Sequence, residues 1–523
     1  MSVNCTRNLL EYATNKEPNK KALIFKDDSL TYKELLEKVN QLSNYLSKLE
    51  IPKGSRIGIY SNKSIEQVIS ILAIFSTDYV FVPITRVLKP DQIGYIINDC
   101  DIKVIITQKN KLENIKKSGF NGKIITYEKD DYHDSIAEIY KYYDKEFSST
   151  VKSFHNATII YSFASSGLPK GVVITQRNLV DGARIVTRYL KLQKDDVISG
   201  VLSFNLDYGI NQIVTSIYNL STLALHQLVL PNDFFQHLIK DNITILPVMP
   251  IHITQMFDDE PHRLPTPEQL KNIKTITSSG GKITTKMLQD IENFFTNAKF
   301  YSMHGLSEAF RSAYLEPSQL KIRPTSIGKA VPDVELFVIN ENGEECKPRE
   351  VGELIHRGAC IYKGYWNSKE DTNLRYKSIN ILKNVINLEG DLTDEIVVAS
   401  GDYVYKDEEG YIYFHSRKDN MIKTMGYRVN PHEIEKVVYD NFSQINSCIV
   451  FGIEDEKIEE KIVLVYSASS QIPQDEILFE LKKHLPAYMA PSIIVYKRNI
   501  PLHYGKVDKN SLKKELLDDI SNR

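Results

Sequence analysis

Short apolar segments alternate with helical patterns along most of the chain, and this alternation limits the possible folds more than any other feature. The leucines and the valine between Leu35 and Leu49 repeat every three or four residues, which is typical of one helix face. Short β-branched or aromatic segments resemble buried parallel strands. They lie at Arg56–Tyr60, Tyr79–Pro83, Lys103–Thr107, Lys123–Thr126 and Thr158–Phe163. The pattern predicts an α/β fold with layered sheets.

The pattern changes near Tyr413–Asn420, where a smaller α+β arrangement begins. We therefore predict a large N-terminal α/β domain over residues 1–418 and a small α+β C-terminal domain over residues 419–523. Within the small domain we expect helices at Pro431–Asn441 and Gln474–His484 and strands at Ser447–Gly452, Lys461–Ser467 and Ser492–Tyr496. The boundary falls close to Asp419.

The charge balance excludes several classes of partner. Lys and Arg total 65 and Asp and Glu total 67, so the net charge is −2 and supplies no basic field for nucleic acid or an anionic membrane. The start of the chain lacks the apolar segment of a secretory signal, and no run reaches the ~18 apolar residues of a membrane helix. The five cysteines are scattered, without a CxxC pair. We expect a cytoplasmic protein that binds neither nucleic acid nor membranes.

A loop of hydroxyls and glycines follows the Thr158–Phe163 segment and ends in a lysine. It can offer backbone N–H groups, hydroxyls and one cation to a polyphosphate. Its spacing is not that of a Walker loop. An ordinary turn uses the same residue types, so this loop alone leaves both interpretations open. The residues concerned are Ser165, Ser166, Gly167, Lys170 and Gly171.

A second segment places a ring, a glycine, a hydroxyl and a carboxylate within five residues. The ring of His304 can stack on a purine, and Gly305 allows close approach of a ligand. Ser307 can bond a phosphate oxygen, and Glu308 can hold Mg²⁺. Because loop histidines and glutamates are often simply solvated, this segment is also ambiguous by itself.

Three further charged residues follow at wide spacing. Asp402 can accept both hydroxyls of a ribose, and Arg417 can donate to the same sugar. Lys506 follows a glycine near the end of the sequence. Taken singly, these residues are equally typical of a turn, a solvated charge run and an exposed lysine.

The order of these pieces is more specific than any one of them. With that order the sequence resembles the superfamily of AMP-forming acyl-CoA synthetases, peptide-synthetase adenylation domains and firefly luciferase, over essentially the whole chain. Lesser motifs of the superfamily occur at Leu30–Leu35, Gly352–Gly358 and Gly364–Trp366. The resemblance implies an enzyme that uses ATP and Mg²⁺ to convert a carboxylic acid into an acyl-adenylate and pyrophosphate. The acyl group then passes to the thiol of CoA or of a carrier-protein phosphopantetheine.

The resemblance also implies roles for individual residues. The loop from Ser165 to Gly171 cradles the β- and γ-phosphates, His304 stacks on adenine, Ser307 lies at the phosphates and Glu308 serves Mg²⁺. The resemblance implies three catalytic residues, Lys506, Glu308 and Lys170. Lys506 matches the lysine that contacts the substrate carboxylate and the α-phosphate.

Further positions match the ribose site, the hinge and the thiol path. Asp402 binds the ribose with help from Arg417. Asp419 falls at the hinge about which the small domain swings, and Gly426 borders the thiol tunnel after rotation.

Several residues depart from the superfamily pattern. Phe163 and Ala164 stand where a small hydroxyl residue and a glycine are usual, and Ala164 restricts the backbone. His304 replaces a tyrosine, Gln176 replaces a common histidine, and Ser416 replaces a glycine. A nucleotide-binding scaffold without catalysis is therefore one alternative, and a luciferase-like oxidase is another.

The acid and its acceptor are less constrained. Asp207 aligns with an aspartate that holds the amino group in amino-acid-activating relatives, but it also fits a structural turn. Gly280 and Gly281 are assigned to the same acid pocket. No carrier domain follows Lys506, so we expect a thiol supplied in trans. A separate carrier protein suits an amino acid, and CoA suits a non-amino acid.

Overall fold

The computed structural model has the α/β class that the sequence predicts. It describes residues 4–86, 88, 90–162, 169–257, 264–281, 283–388, 394–417, 422–424, 427–455, 458–485, 487–500, 502–503, 506–507 and 509–521. All structural statements below concern these residues.

Several helices begin at a capping side chain that the sequence supplies. Thr31 caps α2 by accepting from the Glu34 N–H, while the Glu34 carboxylate accepts from the Thr31 N–H. The α-helices are α1 (Thr6–Lys16), α2 (Tyr32–Ser47), α3 (Ile65–Phe75), α4 (Pro90–Cys100), α5 (Leu112–Lys117), α6 (Ile136–Tyr142), α7 (Gln176–Leu190), α8 (Asp207–Tyr218), α9 (Pro231–Lys240), α10 (Pro250–Met256), α11 (Thr285–Phe294), α12 (Lys369–Arg375), α13 (Pro431–Asn441), α14 (Gln474–His484) and α15 (Lys509–Ser521).

The strands are short and largely apolar, as buried strands are. They are β1 (Lys21–Phe25), β2 (Asp28–Thr31), β3 (Arg56–Tyr60), β4 (Val80–Pro83), β5 (Ile102–Thr107), β6 (Lys123–Thr126), β7 (Asp134–Ser135), β8 (Asn156–Ser162), β9 (Lys170–Thr175), β10 (Val197–Ser199), β11 (Thr222–Ala224), β12 (Ile245–Val248), β13 (Thr275–Ser278), β14 (Lys299–Leu306), β15 (Ala309–Leu315), β16 (Ser326–Ala330), β17 (Val334–Ile339), β18 (Gly352–Gly358), β19 (Gly364–Tyr365), β20 (Tyr376–Ser378), β21 (Ile396–Lys406), β22 (Ile412–Arg417), β23 (Ile422–Thr424), β24 (Tyr427–Val429), β25 (Ile445–Asp455), β26 (Glu459–Ala468), β27 (Ile493–Tyr496), β28 (Leu502–His503) and β29 (Lys506–Val507).

Two large sheets make up most of the chain. The first has the order β17-β18-β21-β22-β16-β15-β14-β13-β12-β10-β11-β1-β2, with β20 on β21, and the second has the order β19-β9-β8-β4-β3-β5-β6-β7. One apolar core joins strands of both sheets to helices that include α2, α3 and α8, through residues such as Leu42, Phe75 and Ile210. Burial of this layered core provides the main favourable term for folding.

The last part of the chain builds its own sheet. Strands β24, β23, β26, β25 and β27 pair only with one another, and the apolar side chains on them and on α13 and α14 form separate clusters. The preceding strand, β22, ends at Arg417 and pairs with β16 and β21. The two-domain division stays a prediction, and Asp419 lies outside the described residues.

The elements predicted from periodicity are confirmed with small shifts at their ends. Helices α13 and α14 have the predicted bounds, and strand β8 begins two residues earlier than predicted, at Asn156. The predicted last residue of β8, Phe163, lies outside the described residues. The five cysteines are buried as free thiols. Within the described ranges, every helix is too short or too polar to cross a bilayer.

Candidate active site

The β14–β15 hairpin carries the predicted purine and metal residues to one end of the large sheet. His304 pairs with Ala313, and Leu306 pairs with Ala309 across an irregularity in the register. A Cβ atom at Gly305 would lie 2.8 Å from Cα of Arg311, which is closer than real contacts allow. Glycine is therefore required where the two strands come closest, and Ser307 is exposed at the tip.

Glu308 is fixed at this tip by three tyrosines. Its carboxylate accepts a hydrogen bond from the Tyr365 hydroxyl. Its carbonyl oxygen accepts from the Tyr376 hydroxyl at 3.2 Å and from the Tyr362 N–H at 3.2 Å. Burial and the neighbouring Glu308 carboxylate raise the pKa of Tyr365, so this hydroxyl remains a donor. The carboxylate is thus held in one orientation.

Asp402 forms the centre of a charged cluster beside the hairpin. It faces Arg417 across the β21–β22 pair and is only 3% exposed. Arg417 Nε lies 3.3 Å from Asp402 Oδ1, and His304 Nε2 lies 3.4 Å from Asp402 Oδ2. Burial would raise the pKa of Asp402, but the neighbouring His304 ring and the charge of Arg417 lower it overall. The carboxylate therefore stays ionised in spite of its burial.

His356 lies under this cluster on β18 and was not anticipated from the sequence. Its side chain is completely buried, and neither ring nitrogen has a hydrogen-bond partner among the described residues. Burial, and to a smaller extent the neighbouring His304, lowers the pKa of His356 to about 3. His356 is therefore a neutral ring near neutral pH.

The predicted phosphate loop joins β8 to β9. Ser162 pairs with Lys170 at its base, and a Cβ atom at Gly171 would lie 2.6 Å from a methyl group of Ile159. Lys170 Nζ donates to Asp371 Oδ1 at 2.5 Å, and this bond lowers the pKa of Asp371. The middle of the loop lies outside the described residues, namely Phe163, Ala164, Ser165, Ser166 and Gly167.

The predicted acid-pocket residues lie around α8 and β13. Asp207 is the first residue of α8, and its Oδ1 accepts from the Tyr208 N–H at 2.7 Å. Tyr362 donates to Asp207 Oδ2 at 3.4 Å. Gly280 has φ +91°, and a Cβ atom at Gly281 would lie 3.2 Å from the Pro250 ring. Asp207 thus organises its own helix start and also contacts a tyrosine.

The small-domain residues are described only in part. The backbone of Lys506 pairs with His503 in the β28–β29 hairpin, but its side chain lies outside the described residues. Gly426 also lies outside them. Gln176, a departure from the superfamily pattern, is 1% exposed and accepts hydrogen bonds from Thr6 at the start of α1. Gln176 therefore contributes to packing between α7 and α1.

The geometry allows a test of whether these residues fit ATP and Mg²⁺. Asp402 Oδ1 is buried and accepts no hydrogen bond from a described residue, since Arg417 Nε approaches it only as an ion-pair partner. It can therefore accept from a ribose hydroxyl. The described residues contain no cluster of three metal-binding side chains. Glu308 suits Mg²⁺, because that ion commonly takes few protein carboxylates and completes its shell with phosphate oxygens and water.

Comparison with known proteins identifies the class. The model of the AMP-binding enzyme family matches residues 10–366, and the chain belongs to this family. The resemblance and the enzyme class predicted from the sequence are thereby confirmed.

Among curated relatives, tyrocidine synthase 1 of Brevibacillus parabrevis is 23% identical over 511 residues, covering 96% of this chain and 44% of that protein. Gramicidin S synthase 1 of Brevibacillus brevis is 24% identical over 510 residues, covering 96% of this chain and 44% of that protein. The chain spans less than half the length of these relatives.

Solved structures share the fold. ATP-bound MatB from Rhodopseudomonas palustris superposes with a TM-score of 0.85 at 21% identity, covering 99% of this chain and 100% of that chain. The o-succinylbenzoate CoA synthetase MenE from Bacillus subtilis, in complex with the acyl-adenylate OSB-AMP, gives a TM-score of 0.82 at 20% identity, with 97% of both chains covered. These matches confirm the predicted fold class.

Proposed function

We propose that the chain activates a carboxylic acid with ATP and transfers the acyl group to a thiol. A carboxylate oxygen of the acid attacks the α-phosphorus of ATP, and the bond to the β-phosphate oxygen breaks. This step gives an acyl-adenylate and pyrophosphate. The thiol then attacks the acyl carbon, AMP leaves, and a thioester forms with loss of the thiol proton.

One observation carries this proposal: a single hairpin connects the ribose site to the metal site. His304 on β14 lies against Asp402, and Glu308 at the hairpin tip is oriented by Tyr365. A nucleotide whose ribose hydroxyls reach Asp402 can extend its phosphates toward Glu308 and the end of β9. The family match over residues 10–366 supports the same arrangement.

The chemistry accounts for the residue types. A carboxylate and ATP are both anionic, so holding them in line requires positive charge between them, which Lys506 supplies in this proposal. Mg²⁺, when bound at Glu308, offsets charge on the departing pyrophosphate. Lys170 and the Ser165–Gly171 loop bind the phosphates. No enzyme nucleophile is needed, because the substrate oxygen attacks.

We extend the proposal to a domain rotation. Residues 419–523 swing about Asp419 after adenylation, which withdraws Lys506 and brings Gly426 to the path of the thiol. The separate strand pairing on either side of residues 418–421 supports two units. The acceptor is CoA or the phosphopantetheine of a carrier protein. CoA synthetases such as MenE share the fold, whereas the curated relatives are tyrocidine and gramicidin S synthases.

The nature of the acid is the finer part of the proposal. An amino acid would place its ammonium group at Asp207, where a carboxylate can neutralise it. A non-amino acid would leave Asp207 to its contacts with Tyr208 and Tyr362. Loss of activity with an amino acid in Asp207→Ala, but not with other acids, would identify the first case.

Pyrophosphate–ATP exchange with Mg²⁺ against a panel of amino, fatty and aryl acids tests the proposed function. We expect acid-dependent exchange. Binding of ATP without exchange for any acid would instead favour a scaffold that has lost catalysis. Oxygen uptake during turnover would favour the oxidase alternative.

The role of Lys506 gives a sharper test. Lys506→Ala is expected to lower acyl-adenylate formation by at least about 100-fold, because removal of a transition-state charge partner typically has an effect of this order. Transfer from a supplied acyl-adenylate to the thiol should change little. Lys514→Ala, an exposed lysine on α15, is the matched control. Equal loss in both half-reactions would contradict the assignment.

A further inference from the structure

Arg311, three residues after Glu308, is a buried cation that the proposed mechanism does not use. It lies on β15 and is 5% exposed. Its guanidinium carbon lies 4.3 Å from the centroid of the Tyr208 ring and 4.3 Å from that of the Phe310 ring. The two aromatic contacts leave the edge of the planar group as the part that can meet another polar group.

The hydrogen bonding of this edge is incomplete. Nη2 donates to Asn211 Oδ1 on α8, but the buried Nε has no acceptor among the described residues. Among the described residues, the polar partner found for the Arg311 side chain is the Asn211 amide, and no ion pair between Arg311 and a carboxylate is found. Buried donors are nearly always satisfied, and a buried charge without a partner is costly.

A second buried arginine shows what this chain does elsewhere. Arg7 is 4% exposed, almost the same as Arg311. Its Nε lies 2.7 Å from the Glu11 carboxylate, and its Nη1 donates to Asn40. Arg311 therefore has the aromatic and amide contacts of a buried arginine, but among the described residues it has no anionic partner like Glu11.

The position of Arg311 connects it with the acid pocket. Tyr208 and Asn211, which it contacts, lie in the first turns of α8, the helix that begins at Asp207. Asp207 and Arg311 both act on the buried hydroxyl of Tyr362, the former raising and the latter lowering its pKa.

We propose that the acid activated here carries a second carboxylate, and that Arg311 binds this group while the first carboxylate is adenylated. The inference rests on the proposed function and names its substrate class. A carboxylate fits because it is planar and can approach the guanidinium edge between the two rings, accepting from Nε. An acidic amino acid meets the same description, with its ammonium group at Asp207.

Acids matched in length but differing in one carboxylate provide the test. The pairs are succinate and butyrate, glutarate and pentanoate, L-glutamate and L-norvaline, and isophthalate and benzoate, each measured by pyrophosphate–ATP exchange. At least one dicarboxylate should exceed its partner in kcat/KM by about 30-fold or more, since losing one partner of a buried charge pair has effects of this size. Arg311→Met should abolish that preference, and Arg311→Lys should retain part of it.

The outcomes separate the two proposals. Exchange that favours the monocarboxylates, or an equal loss for both members of a pair in Arg311→Met, would overturn the role of Arg311 and leave the proposed function intact. Absence of exchange with every acid would count against the proposed function. The shift in melting temperature that each acid produces with ATP present would then decide the Arg311 role. A larger shift for dicarboxylates that disappears in Arg311→Met supports it, and equal shifts refute it.

Variants that only perturb folding are recognised by controls. Arg323→Met removes a partly buried arginine that the protein pairs with Asp407 and Glu409, and it should leave the acid preference unchanged. A melting temperature of Arg311→Met at or above that of the wild type would show that its loss of preference is not a loss of fold.

Discussion

The Asp402 and Arg311 clusters solve the problem of a buried charge in opposite ways. Asp402 is a buried anion that has the Arg417 guanidinium at 3.3 Å and the His304 ring at 3.4 Å. Arg311 is a buried cation with two aromatic faces and one amide but no anion among the described residues. In the first cluster Arg417 provides the opposite charge, and in the second no described residue does.

Under the proposed function, this difference indicates the charge of the ligand group that each cluster binds. A ribose is neutral, so a site for it needs acceptors whose charge is already balanced by the protein. An acid with a free second carboxylate brings its own charge, so a site for it can leave a cation unmatched. The charge missing from a pocket is therefore as informative as the groups that are present.

The largest expected effect concerns acid stability at the Asp402 cluster. His356 has a pKa of about 3 in the folded chain against 6.5 for an ordinary histidine, so the unfolded chain binds the proton first as pH falls. Stability is therefore lost between about pH 6.5 and about pH 3, by about 3 kcal/mol at pH 4. His356→Phe should reduce that dependence in urea unfolding at pH 7 and pH 4. Equal pH dependence in both proteins would contradict the burial of a neutral ring.

The next effect concerns nucleotide binding at the same cluster. Asp402→Ala is expected to weaken ATP binding by about 30-fold in calorimetry, because hydrogen bonds to a charged acceptor contribute about 1.5–3 kcal/mol. Asp402→Asn keeps the shape and one acceptor, so its loss should be smaller. Asp27→Asn, an acid whose pKa is lowered by Lys240 at the surface, serves as the control. Unchanged affinity in Asp402→Ala would remove the ribose role.

The smallest effect tests the Arg311 cluster without any substrate. Replacing an unmatched buried ion by an apolar side chain of similar length can be neutral or stabilising. Arg311→Met should therefore raise the free energy of unfolding by about 1 kcal/mol. Arg7→Met should lower it instead, because it leaves the Glu11 carboxylate without its partner. A loss of stability in both variants would mean that Arg311 is matched after all.

Much of the fold was predictable because its signals are local. The α13 and α14 bounds follow from local sequence patterns, and α2 follows from the three- and four-residue spacing of apolar residues between Leu35 and Leu49. The strands β3 and β6 have the predicted bounds, since their apolar segments are short and well separated. What the sequence did not provide was the order of the strands, which depends on contacts between distant segments.

The candidate site likewise contains residues that local motifs predict and residues that they do not. Ordered motifs identified His304, Glu308 and Asp402, whereas their partners come from distant parts of the chain. Asp371 lies 201 positions from Lys170 in the sequence, and Tyr365 lies 57 positions from Glu308. Arg311 follows Glu308 closely in the sequence, but nothing in the sequence shows that its guanidinium lies between two rings without an anion.

The pairing of Lys170 with Asp371 changes how phosphate recognition should respond to salt. Under the proposed role, a phosphate of the nucleotide must replace the Asp371 carboxylate as the ion-pair partner of Lys170. The binding step then exchanges one anion for another and does not bring two free charges together. The apparent gain is smaller, but so is its sensitivity to ionic strength, because added salt weakens the competing pair as well. Under that role, Asp371 competes with the phosphate for Lys170 and so weakens nucleotide binding.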